Sequence, residues 1–226
     1  MPSSTESKDC MDETNPFHLR VWLTNSQTGQ TLDLHLPTDA KPMNAAMAHL
    51  GIDPLVGNAE FIISGYVTNQ KGLNINQFDD VNMVNYAAAF IQNHVDDKEK
   101  LSAALQGLDD FNVSEALTIA DSLDTIEFIP LARGSEADQY AELGRAFAEQ
   151  GRIAVSDDVE PYFDYAAYGE TECINEGGNL TDLGYVCVGR DNALSDIADG
   201  KIPEAYRVLK TEAFNVQLEN PAIGFA

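Results

Sequence analysis

Positive charge is scarce in this chain of 226 residues, in which 13 lysines and arginines face 37 aspartates and glutamates and leave a formal net charge of −24. Such an acidic protein repels phosphates, which argues against direct binding of nucleic acid or of an anionic membrane. Hydrophobic residues still make up 44% of the sequence, a fraction typical of a folded protein rather than of an acidic disordered chain. The composition therefore predicts a folded protein whose partner is basic or cationic.

Cysteines and long apolar runs are also rare. The three cysteines, Cys10, Cys173 and Cys187, form no C-x-x-C pair, so neither a disulfide framework nor a zinc site is indicated. No stretch approaches the ~18 consecutive apolar residues of a membrane span. Residues 1–15 lack the basic and apolar regions of a secretory signal. We therefore expect reduced thiols and a cytoplasmic location.

Motifs of catalysis and cofactor binding are likewise missing from the sequence. It contains no H-E-x-x-H, P-loop, G-x-S-x-G or G-x-G-x-x-G, and all four histidines lie in the first 94 residues. Acid pairs such as Asp79–Asp80 and Asp157–Asp158 stand where helices should begin, so N-capping accounts for them. No segment follows the calcium-binding EF-hand pattern. We expect no enzyme, no metal and no cofactor, with a hydrolase built on a carboxylate pair as an open alternative.

Hydrophobic periodicity predicts an α+β protein, in which three modules follow a disordered tail of residues 1–15. The first module, residues 16–82, has the period-two alternation of a β-hairpin, then a short helix and a strand over residues 61–64. A long loop is expected from Gly65 to Phe78.

The other two modules are predicted from helical spacing. Residues 83–130 read as an acidic helical module of three helices, with a capping box formed by Asp96 and Glu99. Residues 131–226 read as a mixed α/β module with a helix capped by Ser135, an aromatic-rich helix, a strand, and a last helix over residues 203–213.

Negative charge is concentrated in the middle of the chain. Between Asp96 and Asp182 there are 21 acidic and 5 basic residues, so this stretch holds −16 of the total −24. A solvated surface explains some of this charge, but uncompensated charge also destabilises a fold by self-repulsion. One use for such concentrated negative charge is to imitate a polyanion. Duplex DNA carries one charge per ~1.7 Å, so the net charge corresponds to roughly 40 Å of duplex.

Short segments of the first and C-terminal modules also carry a family resemblance. They are Glu60–Tyr66, Gly72–Ile75 and Phe78–Asp80 in the first module, and Leu143–Ala148, Tyr162–Gly169, Gly177–Leu180 and Gly184–Val186 in the last. In this order, the segments resemble the ArdA-type antirestriction proteins carried by plasmids, transposons and phages. Residues 1–15 and 209–226 have no counterpart in the resemblance.

The resemblance implies a curved, elongated protein that mimics bent B-DNA and is not an enzyme. Such a protein forms a homodimer through its C-terminal module and works in the cytoplasm of a bacterial host. It occupies the DNA-binding groove of a type I restriction–modification enzyme, formed by the specificity and methylation subunits, and so protects incoming mobile DNA. Two other interpretations stay open: an acidic DNA mimic aimed at a nucleoid protein or repressor, and a plain acidic cation-binding protein.

Carboxylates of the second and third modules are the candidate DNA-mimicking residues, because the first module is only weakly acidic, with 6 acidic and 3 basic residues. Side chains three or four residues apart on a helix lie ~5 to 6 Å from one another, a spacing of the same order as that between neighbouring phosphates. The candidates are Asp96, Asp97, Glu99, Asp109, Asp110, Glu115, Asp121, Asp124, Glu127, Glu136, Asp138, Glu142, Glu149, Asp157, Asp158, Glu160, Asp164, Glu170 and Glu172.

Overall fold

A computed structural model describes residues 17–53, 60–108, 112–188 and 202–209. The described residues form six α-helices and two three-stranded antiparallel sheets, so the expected mixture of helices and strands is confirmed. The division into three modules stays a prediction. The expected tail of residues 1–15, and two candidate carboxylates, Asp109 and Asp110, lie outside the described residues.

The first sheet contains the hairpin that the alternating pattern predicts. Strands β1 (Leu19–Asn25) and β2 (Thr31–Leu36) pair antiparallel, and β3 (Phe61–Thr68) pairs with the other edge of β1, in the order β2-β1-β3. Strand β3 runs four residues further than expected, so the predicted loop from Gly65 was wrong over residues 65–68. Their backbone pairs with β1 although their side chains do not alternate between apolar and polar.

Four helices extend the core that begins at this sheet. They are α1 (Ala40–His49), α2 (Val81–His94), α3 (Lys98–Gln106) and α4 (Val113–Asp121). Each presents apolar residues to the interior. A single cluster of buried side chains includes residues from the first sheet and from all four helices. The expected module boundary at residue 82 therefore falls inside a shared core.

The second sheet and two more helices form the C-terminal part. Strands β4 (Glu127–Pro130), β5 (Asn179–Thr181) and β6 (Gly184–Cys187) pair antiparallel in the order β4-β6-β5. Helices α5 (Glu136–Glu149) and α6 (Tyr165–Glu176) pack against each other. The sequence predicts a strand within residues 125–131, at the end of the acidic module; β4 confirms it, and its partner is the C-terminal strand β6.

Helices α5 and α6 meet at two glycines, Gly144 and Gly169. A Cβ atom on Gly144 would lie 2.0 Å from the carbonyl oxygen of Tyr165, and one on Gly169 would lie 2.2 Å from that of Tyr140. Both distances are far below van der Waals contact, so neither position accommodates a side chain without moving a helix. The two glycines therefore set how closely α5 and α6 approach each other. These helices carry seven of the candidate carboxylates, counting Asp164 at the N-cap of α6.

The last described segment corrects another prediction. The helix expected over residues 203–213 does not form across residues 204–209, where a single 3-10 turn, Glu204–Tyr206, is followed by extended backbone at Arg207. Residues 210–213 lie outside the described residues. The backbone N–H groups of Val208 and Leu209 instead bond to the side chain of Asn82 on α2. A partner distant in sequence thus replaces the helical hydrogen bonds.

Candidate acidic binding surface

Fourteen of the nineteen candidate carboxylates are exposed, and three, Glu127, Glu142 and Glu172, are half-buried. The remaining two lie outside the described residues. The exposed members extend from the α2–α3 connection to the middle of α6, and they are Asp96, Asp97, Glu99, Glu115, Asp121, Asp124, Glu136, Asp138, Glu149, Asp157, Asp158, Glu160, Asp164 and Glu170. These fourteen residues are called the acidic surface below.

Four members of the acidic surface are held by hydrogen bonds at helix N-termini. Asp97 accepts from the backbone N–H of Lys100 at 2.8 Å, and Asp164 accepts from that of Ala167 at 3.0 Å. Glu115 and Asp138 belong to the capping boxes of α4 and α5. The expected capping box between Asp96 and Glu99 was wrong, since α3 begins one residue later and its N-cap is Asp97.

The α5 capping box also perturbs the ionisation of one carboxylate. The hydroxyl of Ser135 lies 2.6 Å from a carboxylate oxygen of Asp138, and the backbone N–H of Ser135 donates to the same oxygen at 3.2 Å. These two hydrogen bonds lower the pKa of Asp138 below its ordinary value, because they stabilise the charged form. The two bonds therefore hold the Asp138 carboxylate in place at the start of α5.

A groove of about 500 Å³ opens between the end of α2, the start of α3 and the end of α4. Four members of the acidic surface line it, together with Phe90, His94 and a lysine. The ring of Phe90 lies 4.8 Å from that of His94, so one wall of the groove is aromatic. Its four acidic residues are Asp96, Asp97, Asp121 and Asp124, against the single ammonium of Lys100. The groove therefore attracts cationic groups from a partner.

Among the described residues, no group of three or more histidine, cysteine or carboxylate side chains is placed to hold a metal ion. Cys173 and Cys187 are free and buried, and burial is the main cause that raises the pKa of each thiol. Raised thiol pKa values disfavour the thiolate, which is the nucleophilic and metal-binding form. These two cysteines therefore have the properties of structural residues.

Glu127, which is half-buried, belongs to an ion-paired network. Arg152, only 23% exposed, forms ion pairs with Glu127 and with Glu176. Its guanidinium also lies 3.9 Å from the ring centroid of Phe147. The hydroxyl of Tyr185 donates to Glu176 at 2.7 Å. The network joins β4, α6 and β6, which suits it to stabilise the C-terminal part.

Burial of Tyr185 and its hydrogen bond to Glu176 raise the pKa of the phenol, so the phenol stays neutral well above the pH at which a tyrosine usually ionises.

Sequence reasoning did not single out Arg152 or Glu176, which are separated by 24 residues. The signal that could have found Arg152 is its rarity, because only three arginines or lysines lie between Pro130 and Asp182.

The aromatic run from Tyr162 to Tyr168 is divided between surface and interior. Tyr162 is 87% exposed, and Val159, three positions earlier, is 49% exposed. Phe163 instead makes edge-to-face contacts with Tyr165 and Tyr168, at centroid distances of 4.9 and 5.7 Å. The run therefore contributes three half-buried rings to local packing and leaves Tyr162 free to contact a partner.

Two small antiparallel sheets, a shared helical core and a surface dominated by carboxylates define an acidic protein of mixed helices and strands that presents negative charge from its α3–α6 half. No described helix is long and apolar enough to cross a membrane. A model of the antirestriction protein (ArdA) family matches residues 26–187, well over half of the chain, and the chain therefore belongs to that family. Antirestriction proteins act against restriction enzymes. No curated protein matches the chain.

Proposed function

We propose that this protein inhibits a type I restriction–modification enzyme by imitating bent B-DNA. The acidic surface takes the place of DNA phosphates in the groove formed by the specificity and methylation subunits. Incoming mobile DNA in a bacterial cytoplasm then escapes cleavage. The observation that carries the proposal is the exposure of fourteen carboxylates on the α3–α6 half, within a stretch that holds only five basic residues.

Electrostatic complementarity gives the mechanism. A DNA-binding groove is lined by lysines and arginines that neutralise phosphates, and the same groups attract an ordered array of carboxylates. Caps fix Asp97, Asp138 and Asp164 at helix N-termini. The array is therefore partly pre-organised, which lowers the conformational entropy lost on binding.

The C-terminal part is the proposed dimer contact, as the family resemblance implies. Tyr162 and Ile174, which are 87% and 64% exposed, are large apolar side chains beside α6 and on it. Apolar and aromatic side chains are enriched at the centres of protein interfaces. A two-fold dimer would double the length of the acidic surface.

A competition assay tests the proposal. Labelled target duplex is bound to a purified type I enzyme and displaced by this protein at two salt concentrations. We expect stoichiometric displacement that weakens as salt rises. Failure of the unaltered protein to displace the duplex would contradict the proposed target and direct the search to other DNA-binding proteins.

Matched charge variants test the role of the surface. The test variant changes three groove carboxylates, Asp96, Asp121 and Asp124, to asparagine, and the control changes Asp39, Asp53 and Glu60 to their amides. Both variants lose three negative charges, but the control alters the weakly acidic first part. Each exposed charge contributes under ~1 kcal/mol, so we expect up to about a hundredfold weaker displacement from the test variant and little change from the control. Equal losses of displacement in the two variants would show that only the net charge of the protein, and not the position of its carboxylates, determines displacement.

A further inference from the structure

The segment Ile202–Leu209 lies outside the matched residues 26–187, yet it completes the core of the matched part. Within this segment, Val208 and Leu209 are 3% and 1% exposed, and both belong to the buried cluster that includes the first sheet and α1–α4. The segment packs on α2 and, apart from one 3-10 turn, has no regular structure of its own. It therefore contacts the fold as an extended peptide contacts a receptor.

Asn82 binds the backbone of this segment rather than any side chain. Its Oδ1 accepts hydrogen bonds from the backbone N–H groups of Val208 and Leu209, both at 2.8 Å, and its Nδ2 donates to the carbonyl oxygen of Leu209 at 3.1 Å. The Asn82 side chain is 3% exposed. Loss of the segment would leave these amide atoms without the three bonds in a buried position, which is energetically costly.

Asn85 makes a second contact one turn further along the same face of α2. Its Nδ2 donates to the carbonyl oxygen of Tyr206 at 3.1 Å and to that of Thr38 at 3.2 Å. The ring of Tyr206 lies 5.0 Å from that of Tyr86. The two asparagines therefore contact the backbone at both ends of a short sequence, and an aromatic ring adds a side-chain contact.

We propose that this face of α2 is a peptide-binding site, occupied by the chain's own segment Ile202–Leu209. Asn82 and Asn85 bind the extended backbone, and Tyr86 stacks on an aromatic side chain at the position of Tyr206. The core accepts two aliphatic side chains at the positions of Val208 and Leu209. The ligand class is an extended peptide with the pattern of Tyr206, Val208 and Leu209. Binding of this peptide is distinct from action against restriction enzymes, and the site adjoins the acidic groove, since the ring of Tyr86 lies 6.4 Å from that of Phe90.

Peptide binding to a full-length variant with a disabled segment tests the proposal. Val208→Asp and Leu209→Asp would place carboxylates in the core, so the segment should leave its site. A labelled synthetic peptide of residues 202–209 is then titrated and followed by fluorescence anisotropy. We expect it to bind this variant at least about tenfold more tightly than the unaltered chain, whose own segment competes at a millimolar effective concentration.

Adding Asn82→Ala to the disabled variant should abolish peptide binding, and a peptide carrying the two aspartates should not bind. Circular dichroism establishes that each variant is folded. A folded disabled variant that does not bind the peptide would overturn the proposal, as would binding that is unaffected by Asn82→Ala.

Hydrogen exchange on the unaltered chain gives a test that needs no variant. A docked peptide should open without the rest of the core, so the amides of Val208 and Leu209 should exchange at least about tenfold faster than those of Leu117 and Ile119 on α4. Exchange of all four amides at one common rate would show that the segment is an inseparable part of the core and would refute a separable ligand.

Discussion

Substitution of Gly144 by alanine tests the close contact of α5 and α6, since two effects of opposite sign compete. In an isolated helix the change would stabilise by up to ~1 kcal/mol, because alanine is the better helix former. In this fold the new Cβ atom would lie 2.0 Å from the carbonyl oxygen of Tyr165 and 3.2 Å from the backbone nitrogen of Gly169. Backbone atoms have no rotamer to change, so α6 must move by more than about 1 Å to restore van der Waals contact.

The movement would affect a core that both helices share. Leu143 and Phe147 on α5 pack in one buried cluster with Cys173 on α6 and Tyr185 on β6. Overpacking alone typically costs ~1 to 3 kcal/mol, and lost contacts in the cluster add to that cost. We expect Gly144→Ala to lower the free energy of unfolding by at least about 2 kcal/mol, net of the gain in helix propensity.

Urea unfolding followed by circular dichroism measures this loss, and Gly151→Ala is the control. Gly151 follows α5 with φ of +80° and has no heavy atom within 4 Å of its Cβ position, so its substitution costs only the ~1 to 2 kcal/mol of a left-handed backbone. The double variant Gly144→Ala, Gly169→Ala should lose less than the sum of the two single losses, because one contact is shared. A stabilised Gly144→Ala variant would refute the close approach of the helices.

Three further predictions concern the network and the caps of the C-terminal part. Arg152→Met should lower the free energy of unfolding by about 1 to 2 kcal/mol in urea, a modest loss because the paired carboxylates are partly exposed; no loss would show that the ion pairs contribute nothing. The raised pKa of Tyr185 means that the unfolded chain releases this proton first, so stability should fall as pH rises above ~10. Tyr185→Phe should flatten that alkaline decline, and an unchanged decline would exclude this phenol as its cause. Ser135→Ala should raise the pKa of Asp138, measured by NMR titration, because a hydrogen bond to the carboxylate is lost; an unchanged pKa would contradict the role of the hydroxyl.

Local patterns predicted much of the fold. The alternation of Leu19, Val21 and Leu23 marks a strand whose three side chains are at most 1% exposed. Ser135 caps α5 as expected, and Gly177 ends α6 in the left-handed conformation. These features depend on a few neighbouring residues, which is why a single sequence contains them.

Features that depend on distant partners were not predictable in the same way. Strand β5 has only three residues and is defined by its pairing with β6. The docked segment was predicted as a helix because nothing in its own sequence points to Asn82, more than 120 residues away. The Arg152 network likewise joins residues 24 and 25 positions apart. Tertiary contacts decide such features, and local propensity does not include them.

Capping and mimicry are compatible roles for the same carboxylates in this structure. A carboxylate that accepts a hydrogen bond from a helix N-terminus, as Asp97 and Asp164 do, is held in one place yet stays exposed. A phosphate in DNA is similarly fixed by its backbone and open to solvent. A flexible surface glutamate has the charge without the fixed position, and it loses side-chain entropy when a partner binds it. Helix N-termini therefore give an acidic protein an inexpensive way to present negative charges at defined positions, which is the property that imitation of DNA requires.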